Sequence, residues 1–174
     1  MRLFVGIHIP EDVRKRCVAF QNELSQLKLV NHQQFHFTLK FLGEQLDTPI
    51  IQTLEAVAHN TQKSFEIEVY GCGAFPNERK ATVVWVGVRD TKQFVALAQD
   101  VQRALQRFRS EEHAAIIPHL TIARADAPVD VRAIVDQWKY VSFGRFTVRS
   151  FVLYQSVLTT KGSVYSVVKK FGLK

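Results

Sequence analysis

Four stretches of the first half of this chain recur, in the same order, in its second half. Phe4-Val5-Gly6-Ile7 returns as Trp85-Val86-Gly87-Val88 at an offset of 81, and Gln21 and Leu24 fall on Gln102 and Leu105 at the same offset. His36 and Thr38 fall on His119 and Thr121 at 83, and Phe65-Glu66-Ile67 falls on Phe146-Thr147-Val148 at 81. One coincidence would mean little; four in register argue for an internal duplication with units of roughly 1–81 and 82–174. Two copies related by a pseudo-twofold bring their equivalent strands together around one cleft. His36 and His119 are therefore expected to be neighbours.

The element pattern supports the repeat. Residues 3–9 read as a buried strand. Pro10-Glu11-Asp12 starts a helix whose apolar positions Val13, Cys17, Phe20, Leu24 and Leu27 keep helical spacing to about Lys28. Residues 30–34 are a polar linker, 35–42 a strand ended by Gly43, 48–61 a helix, 64–75 a strand, 77–80 a turn and 82–88 a strand. The series then restarts with a helix over 92–108 and a strand from His119. Asp126-Ala127-Pro128 is expected to open a helix through about Trp138. Residues 140–158 carry one long strand or two, and 163–171 a last one.

The chemistry is concentrated where the repeat places it. His36-Phe37-Thr38 and His119-Leu120-Thr121 each set an imidazole two residues before a hydroxyl in an apolar strand, so the two share a face. Two imidazoles can serve as acid and base near neutrality, each role contributing about 10²–10⁴ in rate. Two threonine hydroxyls can hold the non-bridging oxygens of a phosphate. No metal or cofactor is demanded by this scheme. The same parity puts Lys40 on the face of His36, whereas Arg124, an odd number of residues from His119, needs a twist or a strand end to reach the cleft.

Charge bears on the partner. Lys and Arg outnumber Asp and Glu 23 to 16, and the whole surplus lies in residues 81–174, which hold fourteen basic and seven acidic residues. A basic half beside a neutral half suits a polyanion, although Arg103, Arg107 and Arg109 read equally well as the solvated face of a helix. Cys17 and Cys72 have no metal-ligand spacing and read as free thiols of a reducing compartment, so a cytoplasmic location is expected. No apolar run is long enough to span a membrane.

Taken together, the residues resemble those of the two-histidine phosphoesterases, and among them the RNA 2′,3′-cyclic phosphodiesterases historically called 2′-5′ RNA ligases. The stretches that carry the resemblance are Phe4-Val-Gly-Ile7, His36-Phe-Thr-Leu-Lys-Phe-Leu-Gly43, Val83-Val-Trp-Val-Gly-Val88, Pro118-His-Leu-Thr-Ile-Ala-Arg124, Val152-Leu-Tyr-Gln-Ser156, Gly162 and Val164-Tyr165. The resemblance implies a single α+β domain with a duplicated, bilobal fold: two pseudo-twofold-related antiparallel sheets, outer helices and a central cleft. It implies hydrolysis of an RNA 2′,3′-cyclic phosphate to a 2′-phosphomonoester. His36 then matches the proton donor to the departing 3′-oxygen, His119 the proton acceptor that activates water, Thr38 and Thr121 the phosphate-binding hydroxyls, and Arg124 a stabiliser of phosphate charge. The substrates expected are RNA ends, tRNA fragments or small cyclic nucleotides, handled by a monomer. The segment His113-Ala-Ala-Ile-Ile-Pro118 lacks the basic residues relatives often carry there.

Ordinary roles compete at each position. A lone strand histidine is more often a packing residue than a catalyst; the duplication reverses that weighting for His36 and His119. His8, His32, His59 and His113 have no repeated context, and of these only His8 merits a check for cleft access. Tyr154, Phe41 and Phe75 are candidates for stacking on a base, with core packing as the competing role. Three other functions compete as well: 2′-5′ ligation of tRNA halves in the same site, an RNA-binding module with an inactive cleft, and a metallohydrolase. No Asp or Glu flanks either motif in a ligand-like pattern, which weakens the last.

Overall fold

A computed structural model of the chain describes residues 1–60, 63–108 and 116–174. Arg109, His113 and the end of the second predicted helix lie outside the described residues. In chain order the elements are β1 (Arg2–His8), α1 (Glu11–Gln21), β2 (Lys28–Leu29), β3 (His36–Glu44), α2 (Asp47–Asn60), β4 (Phe65–Phe75), β5 (Ala81–Val88), α3 (Lys92–Ala104), β6 (Leu120–Val129), α4 (Arg132–Trp138), β7 (Ser142–Val148), β8 (Ser150–Thr159) and β9 (Gly162–Gly172).

The strands form two antiparallel sheets, ordered β3-β1-β8-β9 and β2-β6-β5-β4-β7. The order β3-β1-β8 maps onto β6-β5-β4, and the next place in each sheet is taken by a strand of the second repeat unit, β9 and β7. The registers agree. Phe4 pairs with Tyr154, and Trp85, the repeat equivalent of Phe4, pairs with Gly73, the repeat equivalent of Tyr154. Each sheet nevertheless takes strands from both repeat units, because β4 joins the second sheet whereas β8 and β9 join the first. The helices cross in the same way. The α1 helix lies over β6 and β7, and α3 lies over β3.

The alternation of strand residues explains the layers. Leu3, Val5 and Ile7 of β1 enter the main core, while Phe4 between them packs with Val152 and Tyr154 on the other face. Helix α1 buries Val13, Cys17 and Phe20, and α3 buries Phe94, Leu97, Ala98 and Val101. Cys17 and Cys72 are free thiols, and burial pushes each up to about 12. No helix among the described residues is long and apolar enough to cross a membrane.

Helix expectations are corrected in the fold, and the choice between one strand and two over residues 140–158 is decided. The first helix stops at Gln21 and tightens into a 3₁₀ turn over Asn22–Leu24, short of Lys28. There the buried Gln21 amide donates to the carbonyls of Val30 and Ile122, at 2.7 and 3.0 Å, which ties the turn to β6 and lets Lys28–Leu29 pair with Arg124 and Ala123. Asp126-Ala127-Pro128 opens no helix, for β6 runs through it to Val129. The helix starts at Arg132 with Val131 as its N-cap, and the Asp130 carboxylate just before it accepts the Arg132 backbone N–H at 3.1 Å. Finally, residues 142–159 form two strands broken at Arg149, where the chain passes from the second sheet to the first.

Candidate active site

Both histidines are anchored in the same way. His36 Nδ1–H donates to the Gln34 carbonyl at 2.8 Å, and His119 Nδ1–H donates to the Ile117 carbonyl at 2.7 Å. A carbonyl only accepts, so each neutral ring carries its proton on Nδ1 and presents Nε2 as the basic nitrogen. At His36 that nitrogen accepts from the Thr38 hydroxyl at 3.0 Å. Gln34 and Ile117 occupy equivalent positions of the two repeats, as the histidines themselves do.

Aromatic rings back each imidazole. Phe4 lies 4.9 Å from His36, with Tyr165 edge-on at 5.3 Å and Tyr154 at 6.0 Å. Phe75 lies edge-on to His119 at 5.0 Å, and Trp85 lies at 6.4 Å. Phe4 and Trp85 are the same position of the two repeats. Gly73 leaves the space that the Trp85 ring fills, since a Cβ there would stand 2.5 Å from it.

The two imidazoles share one electrostatic environment. Burial pushes His36 down to about 4. The bond to Gln34 opposes that shift, and the nearby His119, Arg124 and His8 add to it. Thr121 pairs with Trp85 across β5 and β6, on the His119 side of the cleft. His8 pairs with His36 across β1 and β3; its own pKa is lowered by burial and by Lys170 and Arg14.

A bulge in each repeat decides what else reaches the cleft. On β3, Val5 pairs with Lys40 but Gly6 with Thr38, so Leu39 is an extra residue; on β6, Val84 pairs with Ala123 but Trp85 with Thr121, so Ile122 is extra. Both bulges reverse the alternation beyond them. Lys40 therefore sits opposite the core residue Val5 and is buried, off the face of His36 and Thr38. The residue after it, Phe41, takes the cleft face opposite Phe4, and its counterpart in the second repeat, Arg124, does the same opposite Val83. Arg124 thus gains the cleft through the bulge and not through a strand end. Tyr154 is stacked on Phe4 at 5.0 Å and buried, which makes it a support for His36; burial raises its hydroxyl to about 12.

Sequence reading passed over Phe4, Gln34, Trp85 and Tyr165 as site residues. For Phe4 and Trp85 the repeat offset held the signal: an aromatic at equivalent positions, two residues before a glycine of the strand beside each histidine. A groove of about 760 Å³ opens beside His36, lined among others by Phe4, Gln34, Phe41, Arg124 and Tyr165. Among the described residues no group of three or more His, Cys, Asp or Glu could hold a metal ion. The His36 and His119 imidazoles lie near enough for the charge of one to act on the other.

Residues 9–159 match the model of the 2′-5′ RNA ligase superfamily. The chain is 34% identical over 175 residues to a protein of Archaeoglobus fulgidus named RNA 2′,3′-cyclic phosphodiesterase, covering 98% of this chain and 99% of that one. Its fold is similar to the crystal structure of TT0787 of Thermus thermophilus, with a TM-score of 0.82 at 30% identity over 99% of this chain and 98% of that one. It is also similar to Escherichia coli LigT in the apo form, with a TM-score of 0.78 at 24% identity over 99% and 96% of the two chains.

Proposed function

Because the chain belongs to the 2′-5′ RNA ligase superfamily, and so to a family of phosphoesterases, we propose that it hydrolyses the 2′,3′-cyclic phosphate at an RNA end, without a metal, to a 2′-phosphomonoester. The name of the Archaeoglobus fulgidus relative supports the substrate. The single observation that carries the mechanism is the matched anchoring of the two histidines, each held through Nδ1 to a carbonyl two residues upstream.

In this reading water attacks phosphorus opposite the 3′-oxygen. His119 Nε2 takes the water proton as the new P–O bond forms. The P–O3′ bond breaks, and His36 Nε2 delivers its proton to O3′, leaving a 3′-hydroxyl and a 2′-phosphate. Burial holds His36 down to about 4, so the ring is neutral at pH 7 before substrate binds. A phosphate anion beside it favours the charged imidazolium, and an opposite charge at a few ångströms moves a pKa by roughly 1–3 units. That brings His36 from about 4 to roughly 5–7, so at pH 7 a fraction of the bound complexes carries the donor proton, and a larger one at lower pH. Thr38 and Thr121 donate to the non-bridging oxygens, and Arg124 neutralises their charge. The Thr38 hydroxyl, which otherwise donates to His36, turns to the phosphate when His36 carries a proton.

The deciding experiment incubates the protein with an RNA ending in a 2′,3′-cyclic phosphate, with and without a strong chelator, and locates the phosphate in the product. A 2′-phosphate formed at the same rate under both conditions is expected. A 3′-phosphate, or loss of activity in chelator, would overturn the mechanism. Adding a 5′-hydroxyl RNA to the same mixture shows whether a 2′-5′ linkage forms in competition with hydrolysis.

A further inference from the structure

A cyclic phosphate ends a strand, and the rest of that strand must leave the cleft on the 5′ side of the terminal ribose. The 760 Å³ groove adjoins His36 through the residues that hold that ring: Gln34 accepts from it, Phe4 and Tyr165 pack on it, and all three line the groove. From there the groove runs between the two sheets. One wall carries Arg2, Phe41 and Lys161 from β1, β3 and the β8–β9 turn, and the other carries Lys28 and Arg124 from β2 and β6. Among the described residues four basic side chains line it and no Asp or Glu does, although Lys28 is ion-paired outward to Asp126 at 2.7 Å. Its volume lies in the upper part of the roughly 300–1,000 Å³ that ligand pockets occupy, more than a terminal phosphate and ribose need.

We propose that this groove binds the single-stranded RNA leading up to the cyclic phosphate. A base stacks on Phe41, and Arg2 and Lys161 meet the phosphates that follow, so that the protein selects oligonucleotide ends over cyclic mononucleotides. The chemistry fits such a strand. An aromatic face accepts any base, and cations spaced along a groove follow a phosphate backbone without reading sequence. A base can stack on Phe41 only when it is unpaired and splayed from its neighbours, so the end is single-stranded. The assignment rests on the cyclic phosphodiesterase reading and extends it from the reacting phosphate to the nucleotides behind it.

The test compares kcat/KM for a tetranucleotide ending in a 2′,3′-cyclic phosphate with that for a 2′,3′-cyclic mononucleotide, in the native protein and in Phe41→Leu, Arg2→Ala and Lys161→Glu. Alongside it, fluorescence anisotropy follows binding of a labelled 3′-phosphate tetranucleotide against salt. The ratio of the two kcat/KM values should fall about tenfold in Phe41→Leu. The slope of log K on log salt should lose about 0.7 for each phosphate contact removed. Equal losses on both substrates would place the terminal nucleotide itself in the groove, and an unchanged ratio with an unchanged slope would empty it; either result overturns the assignment. If the native protein hydrolyses neither substrate, the cyclic phosphodiesterase reading fails. The anisotropy series then still decides the groove, since Arg2→Ala and Lys161→Glu either weaken strand binding or leave it intact. Melting curves identify any variant that loses its fold, and the two charge variants, both at surface positions, keep the question open to measurement if Phe41→Leu is one of them.

Discussion

At the scale of single residues, the proposed mechanism rests on the two histidines, and one of them carries a liability. Replacing His36 or His119 by Ala removes one proton-transfer partner, and turnover of a cyclic-phosphate RNA should fall by about 10²–10⁴ in each. Both variants should still melt cooperatively, His36→Ala at a lower temperature because its ring packs against Phe4, Tyr154 and Tyr165. Native turnover in either variant would remove that residue from the mechanism. The liability is electrostatic. His36 has a folded-state pKa of about 4 against 6.5 for an unperturbed imidazole, so the unfolded chain binds this proton more readily. The stability that the neutral ring contributes is complete above pH 6.5, declines as pH falls towards 4, and is gone below it. Between pH 7 and 4.5 the native protein should therefore lose about 1–2 kcal/mol more than His36→Asn, read from urea midpoints. Equal losses in the two proteins would show that burial does not depress this group.

At the scale of elements, strand parity was a sound guide up to the bulges. His36 with Thr38, and His119 with Thr121, could be placed from the two-residue alternation alone. Lys40 and Arg124 could not, since an extra residue at Leu39 and at Ile122 reverses the count. Nothing in Leu39-Lys40 or Ile122-Ala123 marks a bulge, because an inserted residue looks like any other apolar strand residue until its partner strand is known. Asp126 and Asp130 pose a similar problem. Both precede helix-forming residues, and only the pairing of β6 out to Val129 decides which one stands at the helix start. Close approach between neighbouring strands is legible in retrospect at Gly6. A Cβ there would lie 2.8 Å from the Phe37 carbonyl, 3.4 Å from the His36 ring and 3.5 Å from Tyr154. Gly6→Ala must push β3 away from β1, at a cost of about 1–3 kcal/mol, and must displace the His36 imidazole. Activity should fall together with stability. A variant with native melting and native turnover would show that the strands yield without moving the ring.

At the scale of the whole molecule, the duplication that the sequence reveals does not divide the molecule where it divides the chain. Residues 1–81 contribute β1 and β3 to the first sheet but send β2 and β4 to the second; residues 82–174 contribute β5, β6 and β7 to the second sheet but send β8 and β9 to the first. Helix α1 covers the sheet built mostly from the later half, and α3 covers β3 of the earlier half. A fragment of residues 1–81 would thus hold only two strands of the first sheet, with Leu3, Val5, Ile7 and Phe37 stripped of Phe94, Phe151 and Leu153, which share their core. Two paired strands without a covering layer are marginal in water. Each fragment alone should give no cooperative melting transition, whereas the two expressed together should assemble and recover hydrolysis, because the cleft needs one histidine from each. A fragment that melts cooperatively on its own would mean that the exchanged strands are an ornament of the fold. The failure of both fragments, with recovery on mixing, would instead tie the pairing of His36 with His119 to the strand exchange: the crossing that builds each sheet from both repeats also holds the two imidazoles on facing walls of a single cleft.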